Sequence, residues 1–433
     1  GNDLLQGGFG DDTMDGGIGG DTLDGGANND TADYSGRTDA VTVTLDGVNN
    51  DGNADDDNGI DGGRDDVLDN VETVQGSSGD DLIDASASTT PHNLEGNDGN
   101  DTLIASNHGD TLGGSTGDDS ITGGAGNDLI FGDAGNDTVF AGAGNDTVHG
   151  GTEDDILYGL DGNDSITGDD GNDRIHGGAG NDTLEGDDGS DTLIGAAGAD
   201  SMSGGNGRDL VTYYYESRNI TVTLDGVADS SIKNEHDTVS ADVENIFGGL
   251  GSDLLVGNAS RNGIFGNGGN DTLEGLNNSD TLIGGNGSDV LNGGNGNDIL
   301  QGNGGADSFI GGKGVDTADY SERTENLTIT LDGAANDGAP GENDVVHVDV
   351  ENVTGGTGDD SITGNQHAGA AASSLDGGAG NDTLTAGTGA DTLFGNDGND
   401  HLNANNGFAD TLDGGLGTDV TTHDTHDTLL NIP

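Results

Sequence analysis

Residues 123–185 read GGAGNDLIF GDAGNDTVF AGAGNDTVH GGTEDDILY GLDGNDSIT GDDGNDRIH GGAGNDTLE. Glycine opens most of these nonapeptides, aspartate holds the sixth place and an aliphatic residue the eighth. The register extends outward without a slip. Aspartate falls at Asp101, Asp110, Asp119, Asp128, Asp137, Asp146, Asp155, Asp164, Asp173, Asp182, Asp191, Asp200 and Asp209, and the aliphatic series follows two residues behind, from Leu103 to Val211. A fixed period of this kind marks a repeat architecture, whose units bury their apolar faces by stacking on one another.

Each nine divides in two. The first six positions are turn chemistry: glycine accepts positive φ and close backbone approach, while Asn and Asp tolerate the left-handed region. The last three alternate polar, aliphatic, polar, which is the period of a very short strand with one inward side chain. The same sixth-position aspartate recurs at Asp12, Asp21 and Asp30, at Asp81, and at Asp253, Asp271, Asp280, Asp289, Asp298, Asp307 and Asp316. It returns at Asp360, Asp382, Asp391, Asp400, Asp410 and Asp419. Turn chemistry alone accepts Asn or Ser there as readily as Asp. Asn262 is an exception, and a weak or empty cation site is expected around it.

The pattern resembles the hemolysin-type (RTX) calcium-binding nonapeptide, G-G-x-G-x-D-x-U-x, matched in full by residues 177–185, GGAGNDTLE. The resemblance implies an all-β fold: a right-handed parallel β-roll with two nonapeptides, eighteen residues, per coil. It implies many bound Ca2+ ions lying between successive turns, held by the thirty aspartates just named and by carbonyl oxygens of the glycine-rich positions. Two-unit closure puts Asp101, Asp119, Asp137, Asp155, Asp173 and Asp191 along one edge. Asp110, Asp128, Asp146, Asp164, Asp182 and Asp200 line the other. Neighbours in a row then sit about 4.8 Å apart, where like charges repel by about 3–4 kcal/mol at an effective dielectric near 20. Calcium, a hard cation taking six to eight oxygens, reverses that sign, so metal binding and folding become one event.

Bulk composition agrees with a cation partner. Eighty-three acidic residues face nine basic ones, for a formal charge of −74 over 433 residues. Nucleic acid and anionic membrane surfaces are repelled by such a chain. Hydrophobic residues make up 29% and aromatics 3%, a composition that is disordered unless something neutralises the charge. There is no cysteine, so neither disulfides nor thiol chemistry contribute. No apolar run reaches membrane-spanning length, so no membrane insertion is expected. The opening Gly1-Asn2-Asp3-Leu4-Leu5 falls mid-nonapeptide, as in a piece of a longer protein.

Three inserts interrupt the array, dividing it into 1–33 (repeats), 34–75 (insert), 76–212 (long roll), 213–247 (insert), 248–319 (roll), 320–354 (insert) and 355–433 (roll with an irregular end). The first insert carries DYSGRTDAVTVTLDG at 33–47 and DDVLDNVETV at 65–74; the third repeats it with DYSERTENLTITLDG at 319–333 and NDVVHVDVENV at 343–353. Alternation at 41–45, 220–224 and 327–331 marks strands. Each insert therefore reads as two longer, hairpin-like strands continuing the stack and joined by a bulging loop. The acidic cluster Asp51, Asp55, Asp56 and Asp57 reads as flexible solvated acid rather than further calcium ligands. His423 and His426 read as part of a frayed terminus rather than a transition-metal pair. Tyr213, Tyr214 and Tyr215 read as a tyrosine corner beneath the second insert.

Catalytic patterns fall away. Gly113-Gly114-Ser115-Thr116-Gly117 matches the G-x-S-x-G elbow but lies inside a nonapeptide turn with no strand–turn–helix context. Neither H-E-x-x-H nor a phosphate-binding G-x-x-x-x-G-K-[ST] occurs. No enzymatic role is expected. Three functions remain open. The first is an extracellular or cell-surface structural protein, bacterial and type I secreted, assembling with itself or with a surface partner as a layer, adhesin stalk or fibre. The second is the calcium-binding tail of a secreted enzyme or toxin, and the third a polysaccharide-binding module.

Overall fold

The computed structural model describes residues 2–48, 50–52, 65–228 and 236–432, and contains no helix among them. The chain forms two compact units, Gly1–Val211 with Asn234–Val243, and Thr212–Lys233 with Glu244–Pro433.

In the first unit alternate nonapeptides enter alternate parallel ladders, each strand pairing with the one eighteen residues on. Val139 lies beside Leu157, Leu157 beside Ile175 and Ile175 beside Leu193. In the other ladder Ile130, Val148, Ile166, Leu184 and Met202 follow one another. These side chains are fully or almost fully buried, so the core is two facing columns of one aliphatic residue per nonapeptide. The second unit repeats the scheme, with Leu273, Leu291 and Phe309 in one ladder and Leu282, Leu300 and Ala318 in the other. The expected β-roll, with its eighteen-residue coil, is what the chain forms.

Strands in the long run reach further than the three residues the alternation gives. Thr147–Thr152 and Ile156–Asp161 continue through the first three places of the next nonapeptide. Glycine makes that continuation. A Cβ on Gly162, at the fourth position with φ +147°, would fall on the carbonyl oxygen of Gly144 one coil below. The coils stack too closely there for any side chain.

The inserts continue the stack, but with short strands. Thr42–Thr44 pairs in parallel with Leu82–Asp84, and Thr73–Gln75 pairs with both Thr31–Asp33 and Asn93–Asp98. Among the described residues antiparallel contact is confined to isolated bridges, Thr42 with Gly52 and Asp51 with Asp65 in the first insert and Thr328 with Gly338 and Asp337 with Asp344 in the third. Val41, Val43 and Leu45 are all buried as their alternation predicts. The end of the chain is not frayed. Val420–His423 and Thr428–Leu430 extend the two ladders beside His401–Ala404 and Thr411–Asp413.

Candidate metal centre

The sixth-position aspartates are the candidate ligands. All thirty are buried except Asp12, which is half-buried. They form the two expected rows, joined within each run by one repeated hydrogen bond: the backbone N–H of one aspartate donates to Oδ1 of the aspartate one coil on. Asp119 N reaches Asp137 Oδ1 at 2.7 Å, Asp137 reaches Asp155 at 2.8 Å and Asp155 reaches Asp173 at 2.8 Å. In the other row Asp128 reaches Asp146 at 2.8 Å and Asp146 reaches Asp164 at 2.9 Å. The second unit has the same spine through Asp253, Asp271, Asp289 and Asp307.

The other carboxylate oxygen is left over. Oδ2 of Asp101, Asp119, Asp128, Asp137, Asp146, Asp155, Asp164, Asp173, Asp182 and Asp191 is buried with no hydrogen-bond partner. The same holds at Asp12, Asp21 and Asp30, from Asp271 to Asp316, and at Asp382, Asp391, Asp400, Asp410 and Asp419. One orphaned buried polar atom is costly; a whole column of ionised ones requires an outside counter-charge. Backbone oxygens stand beside them. A Cβ added at Gly150 would fall between Asp155 Oδ2 and the carbonyl oxygen of Gly168, and one at Gly266 between Asp271 Oδ2 and the carbonyl of Gly284. First-position glycine thus keeps clear a cradle bounded by a carboxylate and a carbonyl, the oxygen donors a hard cation takes.

In the middle of each run burial pushes carboxyls up, and for most of them neighbouring acids add to it. Asp101 and Asp191 rise to about 7 and Asp155 to about 8. Asp137, Asp164 and Asp173 rise to about 6. In the second unit Asp271 and Asp280 rise to about 7. The row hydrogen bond opposes the rise but does not cancel it.

No three acidic or histidine side chains converge among the described residues. The rows hold carboxylates one coil apart, so side chains alone do not build a cage and the remaining donors must be backbone carbonyls. His423 and His426 accordingly make only local contacts. His426 Nδ1 lies 3.0 Å from Asp424 Oδ1, and His423 Nδ1 lies 2.9 Å from the Asp424 carbonyl.

These observations point to calcium repeats, and a family comparison agrees. The family described as RTX calcium-binding nonapeptide repeat (4 copies) matches residues 1–32, 69–89, 93–119, 113–148, 149–184, 176–211, 247–282, 283–318, 349–368 and 376–408. The chain belongs to this family. No curated protein matches it. The RTX repeats thus account for most of the chain, and they carry calcium binding with them.

Five carboxylates depart from the RTX pattern in sequence yet continue its rows. Asp65, Asp237 and Asp344 accept the N–H of Asp21, Asp200 and Asp307 at 3.0 Å each. Glu72 and Glu351 do the same for Asp30 at 2.9 Å and Asp316 at 3.0 Å. Each stands two residues before a buried valine (Val67, Val239, Val346, Val74 and Val353), a signal that survives although the glycine half of the repeat is gone.

Asp51 corrects the reading of its loop as solvated acid. It is fully buried: Oδ1 accepts the Thr44 N–H at 2.5 Å and the Thr44 hydroxyl at 2.9 Å, and Oδ2 accepts the Val67 N–H at 2.8 Å. Asp337 does the same in the third insert, for Thr330 at 2.7 Å and Val346 at 3.0 Å. Sequence shows only an acid among acids; the strand residue that closes over it, Val67, comes from sixteen residues away. Asp55, Asp56 and Asp57 lie outside the described residues. Tyr213 is buried at the start of the second insert, while Tyr214 and Tyr215 are exposed and meet edge to face.

Proposed function

We propose that this chain is a non-catalytic, extracellular structural protein of bacterial type I secretion, unfolded at cytosolic calcium and folded where calcium is millimolar. The observation that carries the reading is the column of buried carboxylates whose Oδ2 atoms find no donor in the protein. In water without calcium those groups favour the unfolded chain, where solvent satisfies them. With calcium the first-position carbonyls and the sixth-position carboxylates share an ion, and stacking follows. RTX repeats are typical of secreted bacterial proteins, which supports the compartment. Self-assembly into a layer, stalk or fibre belongs to the same proposal, because a roll leaves strand edges unpaired at its ends.

The test compares the hydrodynamic radius of the full chain at submicromolar and at millimolar free calcium. An expanded coil in the first condition and a compact species in the second is the expected result. A compact species in both removes the calcium-gated reading.

A further inference from the structure

At Asp81, Asp110, Asp253 and Asp360, Oδ2 is not left over. It accepts the backbone N–H of the residue four places earlier, the second position of its own nonapeptide. Ser77 donates to Asp81 at 2.5 Å, Ser106 to Asp110 at 2.9 Å, Gly249 to Asp253 at 2.9 Å and Gly356 to Asp360 at 3.0 Å. Asn262 is held likewise by the Asn258 N–H at 2.9 Å.

A backbone difference accompanies this. Where Oδ2 is unpartnered, the second position is left-handed even when it is not glycine: Ser115 (φ 80°) before Asp119, Asp133 (φ 73°) before Asp137, Leu160 (φ 75°) before Asp164, Asp169 (φ 70°) before Asp173. At Ser77, Ser106, Gly249, Asn258 and Gly356 it is not. Gly387 and Asn406 also are not, yet Asp391 and Asp410 keep an unpartnered Oδ2, so those two coils stand between the classes.

From this we infer that the roll contains two kinds of coil, and that those at Asp81, Asp110, Asp253, Asp360 and Asn262 take no calcium. In a closed coil the N–H occupies the oxygen that an ion needs and points its positive end into the ion's place. Such a coil is complete as it stands. Asn262 supports the assignment independently, because a neutral amide replaces the carboxylate only in this class, and its Nδ2 donates to the Glu244 carbonyl at 3.0 Å.

At three of the five, those of Asp81, Asp253 and Asp360, an insert sets the closed state. The third residue of the closed turn donates its N–H to the tyrosine turn that opens each insert: Ser78 to Arg37 O at 3.2 Å, Leu250 to Glu216 O at 2.7 Å, Thr357 to Arg323 O at 3.0 Å. A coil stacked on such a turn, rather than on another glycine-rich turn, is held out of the left-handed form. The consequence is a discontinuous ion map, with metal-free coils directly after each insert.

The inference rests on the calcium reading, and the experiment separates them. Crystals of the full chain grown with calcium and exchanged with terbium give anomalous peaks at each ion. Peaks beside Asp119, Asp137, Asp155 and Asp173, with none beside Asp81, Asp110, Asp253 and Asp360, are expected. Peaks beside all of them overturn the inference and leave the calcium reading standing; a folded chain with none anywhere overturns both. In solution, Asp173→Asn should lower the calcium bound per folded chain by at least one ion and Asp110→Asn should leave it unchanged. Equal losses contradict the assignment.

Discussion

Asp155 in the long run and Asp51 in the first insert are both carboxylates with almost no exposed surface. Around Asp51 the protein supplies every donor: two backbone N–H groups and a threonine hydroxyl. Around Asp155 it supplies one, to Oδ1, and leaves Oδ2 facing a glycine carbonyl. The first arrangement is self-contained and the second waits for a cation. One chain therefore solves the same problem twice, with its own groups where the sequence is irregular and with borrowed charge where it repeats. Repetition makes the second solution necessary, since an identical turn every eighteen residues offers the same unmatched oxygen each time.

Protonation breaks the comparison most strongly, because it acts on both regions alike. Asp155 lies near 8, Asp101 near 7, and Asp51 and Asp337 also near 7. Folded carboxyls in this range bind more protons than unfolded ones, whose pKa is about 3.9. The metal-free fold therefore loses stability as pH rises from about 4 through 8. Strand signal in calcium-free solution is expected to be greatest near pH 4 and gone above pH 8, read by circular dichroism across that range. A metal-free signal that grows with pH would reverse the sign of this argument.

Core truncation in the run comes next. Ile166→Ala should cost about 2–5 kcal/mol and move the calcium midpoint of folding upward, measured by titration. Tyr34→Phe addresses the insert instead. The Tyr34 hydroxyl donates to Asp65 Oδ2 at 3.2 Å in a buried setting, as Tyr320 does to Asp344 at 3.1 Å. Its loss should cost about 1–3 kcal/mol in thermal melts at saturating calcium while the bound-ion count stays the same. A changed count would mean that the insert, too, holds metal through that oxygen. Smallest is Gly36→Ala. A Cβ there meets nothing within 4 Å and φ is not positive, so the melting temperature should shift by no more than about 0.5 kcal/mol implies. The same change at Gly162 should disrupt the coil.

Much of this was legible in the sequence. The nine-residue period fixes ladder, core column and aspartate row together, because all three depend on one spacing. Row members without glycine were not legible: Asp65, Glu72 and Asp344 keep only the two-residue step to a valine, a step common in any strand. Nor do the two kinds of coil differ visibly. Gly248-Gly249 and Gly177-Gly178 read alike, yet Gly178 is left-handed (φ 116°) and Gly249 is not. Glycine accepts either form, so the neighbouring coil decides, and that neighbour is distant in sequence. Leu160 in a left-handed turn shows the same packing overriding local preference.

The central claim is that the unpartnered second oxygens of the run, such as those of Asp119, Asp137, Asp155 and Asp173, need calcium to be buried. Far-ultraviolet circular dichroism of the full chain above pH 8, titrated with calcium from a strong chelator, tests it most directly. Disorder in the chelator, with strand signal appearing steeply and cooperatively as calcium rises, is the predicted result. An unchanged strand spectrum throughout the titration would contradict it.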